Sequence, residues 1–559
     1  MIKKLLTINK RYLLWGLSAI LALILLVFTI STGMLPAKYL FLIGAVLVAV
    51  YAGLFFGQKK WSKGKFIAAA LIEVLMIGVS VYGISVLHHA TDMMDKITET
   101  VTETEAVSVC VMQDAAWQTV EETVDARFGV VDGQSEEAVY QVLTQLETEN
   151  GTKLQVTEFA DMFLAAEALR TGDIQVLVIN EAYAGLIPEI EGYEWFATEV
   201  RVLENTVEEV QVEKPADSEA EDGSVPGTDT DGQGDSPTQP EGTASGDSGV
   251  DADNQTDAGA NDESDKDSAA TDATPAPPVM ELMEPPEQVD WNALVNQEML
   301  EVPEGTFVVY ISGVDTWGTP KAKSRSDVNI LAVVNTNTKQ ILLVSTPRDY
   351  YVPLSVSGGV KDKLTHAGIY GVESSMETLE MLYGVDIQYY VKLNFTGFVG
   401  IVDALGGIDV YSDSTFTVGD AFSFTEGVNH MSGIEALAFA RERYSFASGD
   451  RARGTHQMAV IRAVLDKATS SAILYNYADV MNSVSGCFTT NMSQEKIASL
   501  VRMQLNDMAT WSITAISVDG TGASKTTYTV PQKKAYVMIP DETTVQIAKE
   551  QIAAVLEGK

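Results

Sequence analysis

The stretch TFVVYISGVDTWGTPKAKSRSDVNILAVVNTNTKQILLVSTPRD, residues 306–349, decides the fold of the larger part of the chain. Thr306–Ile311, Asn329–Val334 and Gln340–Ser345 are compact apolar runs of strand length. Asn335-Thr336-Asn337-Thr338 separates the last two as a turn. Downstream, apolar residues recur with helical spacing over Ser374–Tyr383, Phe395–Leu405, Gly433–Arg441, Thr455–Ala468, Gln494–Leu505 and Glu542–Leu556. Buried strands mixed with helices imply an α/β domain over about residues 300–559, with one sheet covered on both faces.

Upstream of this domain the composition changes abruptly. Gln211–Asp290 holds 22 acidic residues and two lysines, half of the formal charge of −40, with almost no large apolar residue. Such a segment buries too little to offset its ordering entropy, so a disordered, solvated tether is expected. Residues 106–205 read as a small α/β unit. Its strands are Val107–Val111, Leu154–Phe159 and Ile174–Asn180, and its helices Ser135–Glu149 and Asp161–Arg170. It has no Gly-rich phosphate loop and no carboxylate pair at useful spacing, so positioning or protein contact is its expected role.

The first ninety residues carry three apolar runs, 13–30, 40–56 and 66–87, each near the length that crosses ~30 Å of hydrocarbon. Lys3, Lys4, Lys10 and Arg11 precede the first run, and Lys59, Lys60, Lys63 and Lys65 fill the second loop. The positive-inside rule then puts the N-terminus in the cytoplasm and everything after His88 outside the cell. Glu73 interrupts the third run, and is expected to snorkel or pair near its cytoplasmic end.

At 559 residues the chain exceeds a single core, and its acidity excludes nonspecific nucleic-acid binding, which needs clustered Lys and Arg. Two cysteines, Cys110 and Cys487, exclude a disulfide scaffold, and the five histidines show no zinc spacing. Carboxylates remain as the metal ligands to consider.

In the main domain, charged residues fall at element ends. Asp315 ends one strand, Arg325 and Asp327 enter the next, and Arg348 follows the third. Arg441 and Arg443 end a helix, followed by Asp450, Arg453 and Gln457. Element ends converge on the rim of an α/β sheet, where ligands sit. If the five arginines meet there with Asp315, Asp327 and Asp450, the local balance is positive, and more so with a divalent ion. Guanidinium forks suit the oxygens of a compact polyanion. Taken singly, each of these residues also reads as an ordinary surface ion pair or a helix C-terminal charge.

Six ordered blocks over Val309–Lys467 resemble the LytR-CpsA-Psr family of cell-envelope proteins. They are Ser324–Asp327, Ser345–Asp349, Lys363–Ala367, Asn394–Phe398, Asp403–Ile408 and Ala440–Gln457. The resemblance implies a three-layer α-β-α domain with a mixed central sheet, carried by a membrane anchor. It also implies transfer of a glycan phosphate from a polyprenyl-pyrophosphate-linked glycan to peptidoglycan, as in attachment of teichoic acid or capsule. On that reading Asp315 and Asp327 hold Mg²⁺ (or another divalent cation). Arg325, Arg348, Arg441, Arg443, Arg453 and Gln457 bind the pyrophosphate. Arg348, Arg441, Arg443 and Arg453 act catalytically, and Asp450 orients Arg453 or serves as base. The lipid needs an apolar tunnel, expected between the sheet and the Phe395–Leu405 helix. A membrane-anchored binding or regulatory protein, or a lipid pyrophosphatase, is the alternative.

Overall fold

The computed structural model describes residues 10–57, 63–98, 103–133, 136–209, 285–316, 320–446, 449–470, 484 and 486–559. All of these fall in one compact unit, Met1–Val212 with Met283–Lys559. Most of the expected linker, 210–284, lies outside the described residues.

Three helices open the chain: α1 (Lys10–Ser31), α2 (Ala37–Gly57) and α3 (Lys63–Thr98). Their segments Leu13–Ser31, Ala37–Phe56 and Ile67–His89 are long and apolar enough to cross a membrane. Glu73 is buried among these helices, with 3% of its surface exposed. Helix α3 continues beyond His89 to Thr98, and the helix contacts the main domain.

The small α/β unit is a five-stranded mixed sheet. Its elements are β1 (Thr104–Met112), β2 (Arg127–Val131), α4 (Glu136–Asn150), β3 (Gln155–Phe159), α5 (Met162–Thr171), β4 (Val176–Asn180) and β5 (Val200–Glu209). The strand order is β3-β2-β4-β1-β5. The sequence reading missed β2 and β5. In β1, Val107, Val109 and Val111 pack towards α4, while Cys110 joins the cluster of α5 on the other face. Asp161 caps α5 by accepting from Phe163 N at 2.8 Å and Leu164 N at 2.9 Å.

The main domain begins with a meander of β6 (Thr306–Val314), β7 (Ser326–Asn335) and β8 (Gln340–Thr346). Asn335 Oδ1 accepts from the N–H groups of Asn337 and Thr338 at 3.0 and 3.1 Å, forming the expected turn. Next come a small ribbon, β9 (Tyr351–Pro353) with β10 (Lys361–Lys363), then α6 (Val372–Tyr383), β11 (Tyr389–Leu393) and α7 (Phe395–Ala404). Two further ribbons pair β12 (Ile408–Ser412) with β15 (Gly427–Met431), and β13 (Phe416–Val418) with β14 (Phe422–Phe424). Then follow α8 (Gly433–Arg441), α9 (Asp450–Ala468), β16 (Phe488–Thr490), α10 (Gln494–Asp507) and β17 (Ser512–Ser517). The chain closes with β18 (Gly520–Lys525), β19 (Ala535–Pro540) and α11 (Glu542–Leu556).

The central sheet has the order β16-β11-β6-β7-β8-β17, with β11 parallel to β6, β17 parallel to β8 and the other pairs antiparallel. Alternate residues of β6, β7 and β8 face opposite sides. Val308, Tyr310, Leu331 and Val344 pack with Leu379 of α6 and Ile552 of α11. Phe307, Val309, Ile330 and Leu343 pack with Met458 of α9 and Ile497 of α10. The domain is therefore a three-layer α-β-α sandwich around a mixed sheet, as the sequence implied. Helix α9 starts at Asp450, five residues before the apolar pattern suggests.

Gly397 is a close-approach glycine in α7: a Cβ there would stand 1.7 Å from the Cys487 carbonyl oxygen. Gly433 does the same for the α7–α8 contact, at 2.4 Å from the Val399 carbonyl oxygen.

Among the described residues, several contacts hold these parts together. The loop after α1 and the start of α2 meet α10, where Arg502 Nη1 donates to Gly33 O at 3.0 Å and Lys38 Nζ to Asn506 O at 2.7 Å. Lys392 of β11 pairs at 2.8 Å with Glu103, just ahead of β1, both almost fully buried. Ile187, Leu186 and Trp195 of the small unit share one apolar cluster with Ile369, Val530 and Ala535 of the main domain. The expected linker ends earlier than Asp290. Lys361 N donates to Glu287 O at 2.7 Å and Val289 N to Gly359 O at 2.8 Å, so this part packs along the β9–β10 ribbon.

Candidate active site

One cavity of about 790 Å³ opens at the ends of β6, β7 and β8, between the sheet and helices α7, α8 and α9. Asp315, Arg325, Asp327, Arg348, Arg441, Arg443, Arg453 and Gln457 all line it. Strand and helix ends do bring these residues to one rim. Arg453 and Gln457 share a face of α9 because they stand four residues apart. Asp450 begins the same helix, but its side chain lies outside the described residues.

The charges are arranged in pairs. Arg348 Nη1 donates to Asp327 Oδ1 at 2.9 Å, and Thr365 Oγ1 donates to the same oxygen at 3.1 Å. Asp349 stands between Arg348 Nε (3.7 Å) and Lys363 Nζ (3.2 Å). The acid beside Arg348 thus ties down its neighbour. Burial opposes the Arg348 charge, but Asp327, Asp349 and Glu189 outweigh it and hold its pKa above the ordinary value. Its buried Nε has no hydrogen-bond partner among the described residues. Arg441 Nη2 lies 3.3 Å from Asp315 Oδ1, and its guanidinium covers the Phe395 ring at 4.2 Å. Burial raises the Asp315 pKa, opposed by Arg441 and reinforced by repulsion from Asp327. Arg443 Nη2 donates to Tyr444 OH at 2.7 Å.

Two residues that sequence reasoning passed over complete the electrostatics. Glu189, from the small unit, lines the cavity 2.5 Å from Arg325 Nη1 and 3.3 Å from Lys363 Nζ. Burial works against its charge, but Lys363, Arg325 and Arg348 prevail and lower its pKa to about 2. A depressed carboxylate stabilises the fold above its unfolded value near 4.5, and that contribution is lost as pH falls through about 2. Glu442 also lines the cavity, so five guanidinium groups face four carboxylates there. The positive excess is therefore smaller than the sequence suggested.

The rest of the wall is apolar. Ile311, Leu393, Phe395 and Phe398 form the side expected from the sheet and α7, while Val418, Phe422 and Leu437 add a second side. An amphiphile with a polyanionic head matches such a surface. The Lys363–Ala367 block has a bracing part besides Lys363 and Thr365. His366 Nδ1 contacts buried Asp362 Oδ1 at 2.7 Å, and Thr529 N donates to Asp362 Oδ2 at 2.7 Å.

Residues 279–546 match the model of the LytR_cpsA_psr family. A Bacillus cereus protein named polyisoprenyl-teichoic acid–peptidoglycan teichoic acid transferase TagU is 37% identical over 199 residues, 35% of this chain and 64% of that protein. An Enterococcus faecalis protein of the same name is 36% identical, over 34% of this chain and 62% of that protein. The chain thus spans less than two thirds of these relatives. The crystal structure of B. subtilis TagV has 25% identity and a TM-score of 0.39, over 46% of this chain and 98% of that one.

Proposed function

On the premise that residues 279–546 form a domain of the LytR_cpsA_psr family, we propose that the chain is a membrane-anchored phosphotransferase. It moves a glycan phosphate from a polyprenyl-pyrophosphate-linked precursor to peptidoglycan. The observation that carries this reading is a single cavity that joins an apolar wall to five guanidinium groups. The lipid lies along Leu393, Phe395 and Phe398, and its pyrophosphate among the arginines. A hydroxyl of peptidoglycan attacks the phosphorus next to the glycan. A phosphodiester forms, the phosphoanhydride breaks, and polyprenyl phosphate leaves as the hydroxyl proton is released. Such a reaction depends on positioning and charge stabilisation. Arg348, Arg441, Arg443 and Arg453 hold the developing charge on the leaving phosphate, and Gln457 donates a neutral hydrogen bond to it.

Asp315 and Asp327 suit a magnesium ion. They are two neighbouring carboxylates whose mutual repulsion a cation relieves, at a cavity fit for phosphates. When bound, the ion supplies further neutralisation of the phosphate oxygens.

The test is incubation of the detergent-purified chain with a polyprenyl-pyrophosphate-linked glycan and peptidoglycan oligomers, with magnesium or with chelator. Phosphodiester-linked glycan on peptidoglycan, with release of polyprenyl phosphate, is expected; no transfer in either condition sinks the reading. D315N and D327N should need several-fold more magnesium for half-maximal rate, while an unaltered requirement would remove the two acids from the metal site. The same reading puts the cavity outside the cell. Protease added to intact cells should therefore digest the domain, and its full protection would reverse the orientation.

A further inference from the structure

Among the described residues, Glu189 is the one carboxylate of the cavity that comes from outside the main domain, and no step of the proposed transfer uses it. It closes a short turn, Ile187–Glu189, whose Ile187 is fully buried in the apolar cluster shared with the main domain. A second ion pair, Lys323–Glu105 at 3.1 Å, holds the same contact away from the cavity. The turn is thus held against the main domain by packing, and the unit that carries it by a separate ion pair.

From this turn a line of alternating charge runs inward. Arg325 Nη1 is 2.5 Å from Glu189 Oε1, and Lys363 Nζ is 3.3 Å from Glu189 Oε2. Lys363 meets Asp349 at 3.2 Å, Asp349 meets Arg348 at 3.7 Å, and Arg348 meets Asp327 at 2.9 Å. A carboxylate with one oxygen on a guanidinium and the other on an ammonium occupies those donors as a phosphate group would. Arg325 also donates to Gly185 O at 3.1 Å, so its guanidinium is turned towards the small unit.

We propose that Glu189 is an internal competitor for the substrate anion, lent to the site by the small α/β unit: it holds Arg325 and Lys363 until the donor's pyrophosphate takes them over. The inference rests on the pyrophosphate-donor reading above. It assigns the small unit a direct part in setting anion affinity. Because the same carboxylate can reclaim both cations, it also favours departure of the phosphate-bearing product.

The test titrates inorganic pyrophosphate into the full chain in detergent, by calorimetry at fixed magnesium. Removing one negative charge that faces the anion at this range should tighten pyrophosphate binding in E189Q by about 5- to 30-fold. E189D, which draws the carboxylate back, should move in the same direction by less. R325A should weaken binding, and E189Q should matter less in the R325A background, since the two residues act on one contact. E105Q loosens the same domain contact without touching the cavity, and should leave the affinity unchanged. Unchanged or weaker binding in both E189Q and E189D overturns the inference, as does equal tightening by E105Q or pyrophosphate that binds none of the proteins. Tighter pyrophosphate binding without any glycan transfer would sink the transferase reading alone. Normal transfer with unaltered pyrophosphate affinity would sink this one alone.

Discussion

Arg348→Ala is expected to lower the transfer rate per folded molecule by about 10- to 150-fold, the equivalent of ~1.5–3 kcal/mol for one charge-assisted hydrogen bond. The side chain is placed for that effect: three carboxylates hold its charge, it lines the cavity, and its Nε has no hydrogen-bond partner among the described residues. After truncation Asp327 keeps the Thr365 hydroxyl and Asp349 keeps Lys363, so the fold should survive with a modest loss of stability. Arg348→Lys should rescue poorly, because an ammonium cannot face Asp327 and a phosphate with a planar fork. Melting temperature and transfer rate measured on the same protein separate the two roles. A lower melting temperature with a wild-type rate per folded molecule would make Arg348 a structural ion pair only.

Lys392→Met should act on stability instead. Lys392 and Glu103 are buried to about 95%, and Glu373 lies close enough to Glu103 for the Glu103 charge, after burial, to raise its pKa. Methionine leaves the Glu103 carboxylate buried, unpaired and beside a second acid. That should cost about 3–5 kcal/mol. Adding Glu103→Gln to Lys392→Met should recover much of the loss, because no uncompensated charge then stays inside. Chemical denaturation of wild type and the two variants decides it. Equal stability of Lys392→Met and wild type would mean that the pair breaks even with an apolar contact.

How far the sequence anticipates these positions depends on the range of the signal. The meander β6–β8 is legible because its apolar runs are long and the Asn-rich turn between β7 and β8 is local. Strands β12 to β15 and β18 are not: they are three to six residues long and mostly polar or half-exposed. Strand β5 is missed because Arg201, Glu204, Asn205 and Glu208 leave no apolar run of strand length in it. The early start of α9 hides behind Arg451, Arg453 and Gly454, which break the apolar period. Among site residues, those at the ends of main-domain elements could be found because topology sends such ends to one rim. Glu189 could not, since it meets Arg325 across 136 residues and no periodicity links the two.

The pinning of Glu287 and Val289 along the β9–β10 ribbon changes what the acidic segment can do. Its two flanks, β5 on one side and residues 285–290 on the other, are fixed in the same compact unit. The segment is therefore a closed excursion, and its contour length does not set how far the cavity stands from the anchor. The contacts of α10 with Gly33 and Lys38, and of α3 with the main domain, hold the N-terminal helices to it instead. Closing a longer excursion is inexpensive: doubling its length adds only ~0.6 kcal/mol of entropy. Evolution is accordingly free to lengthen, shorten or recharge residues 210–284 without moving the cavity relative to the three N-terminal helices.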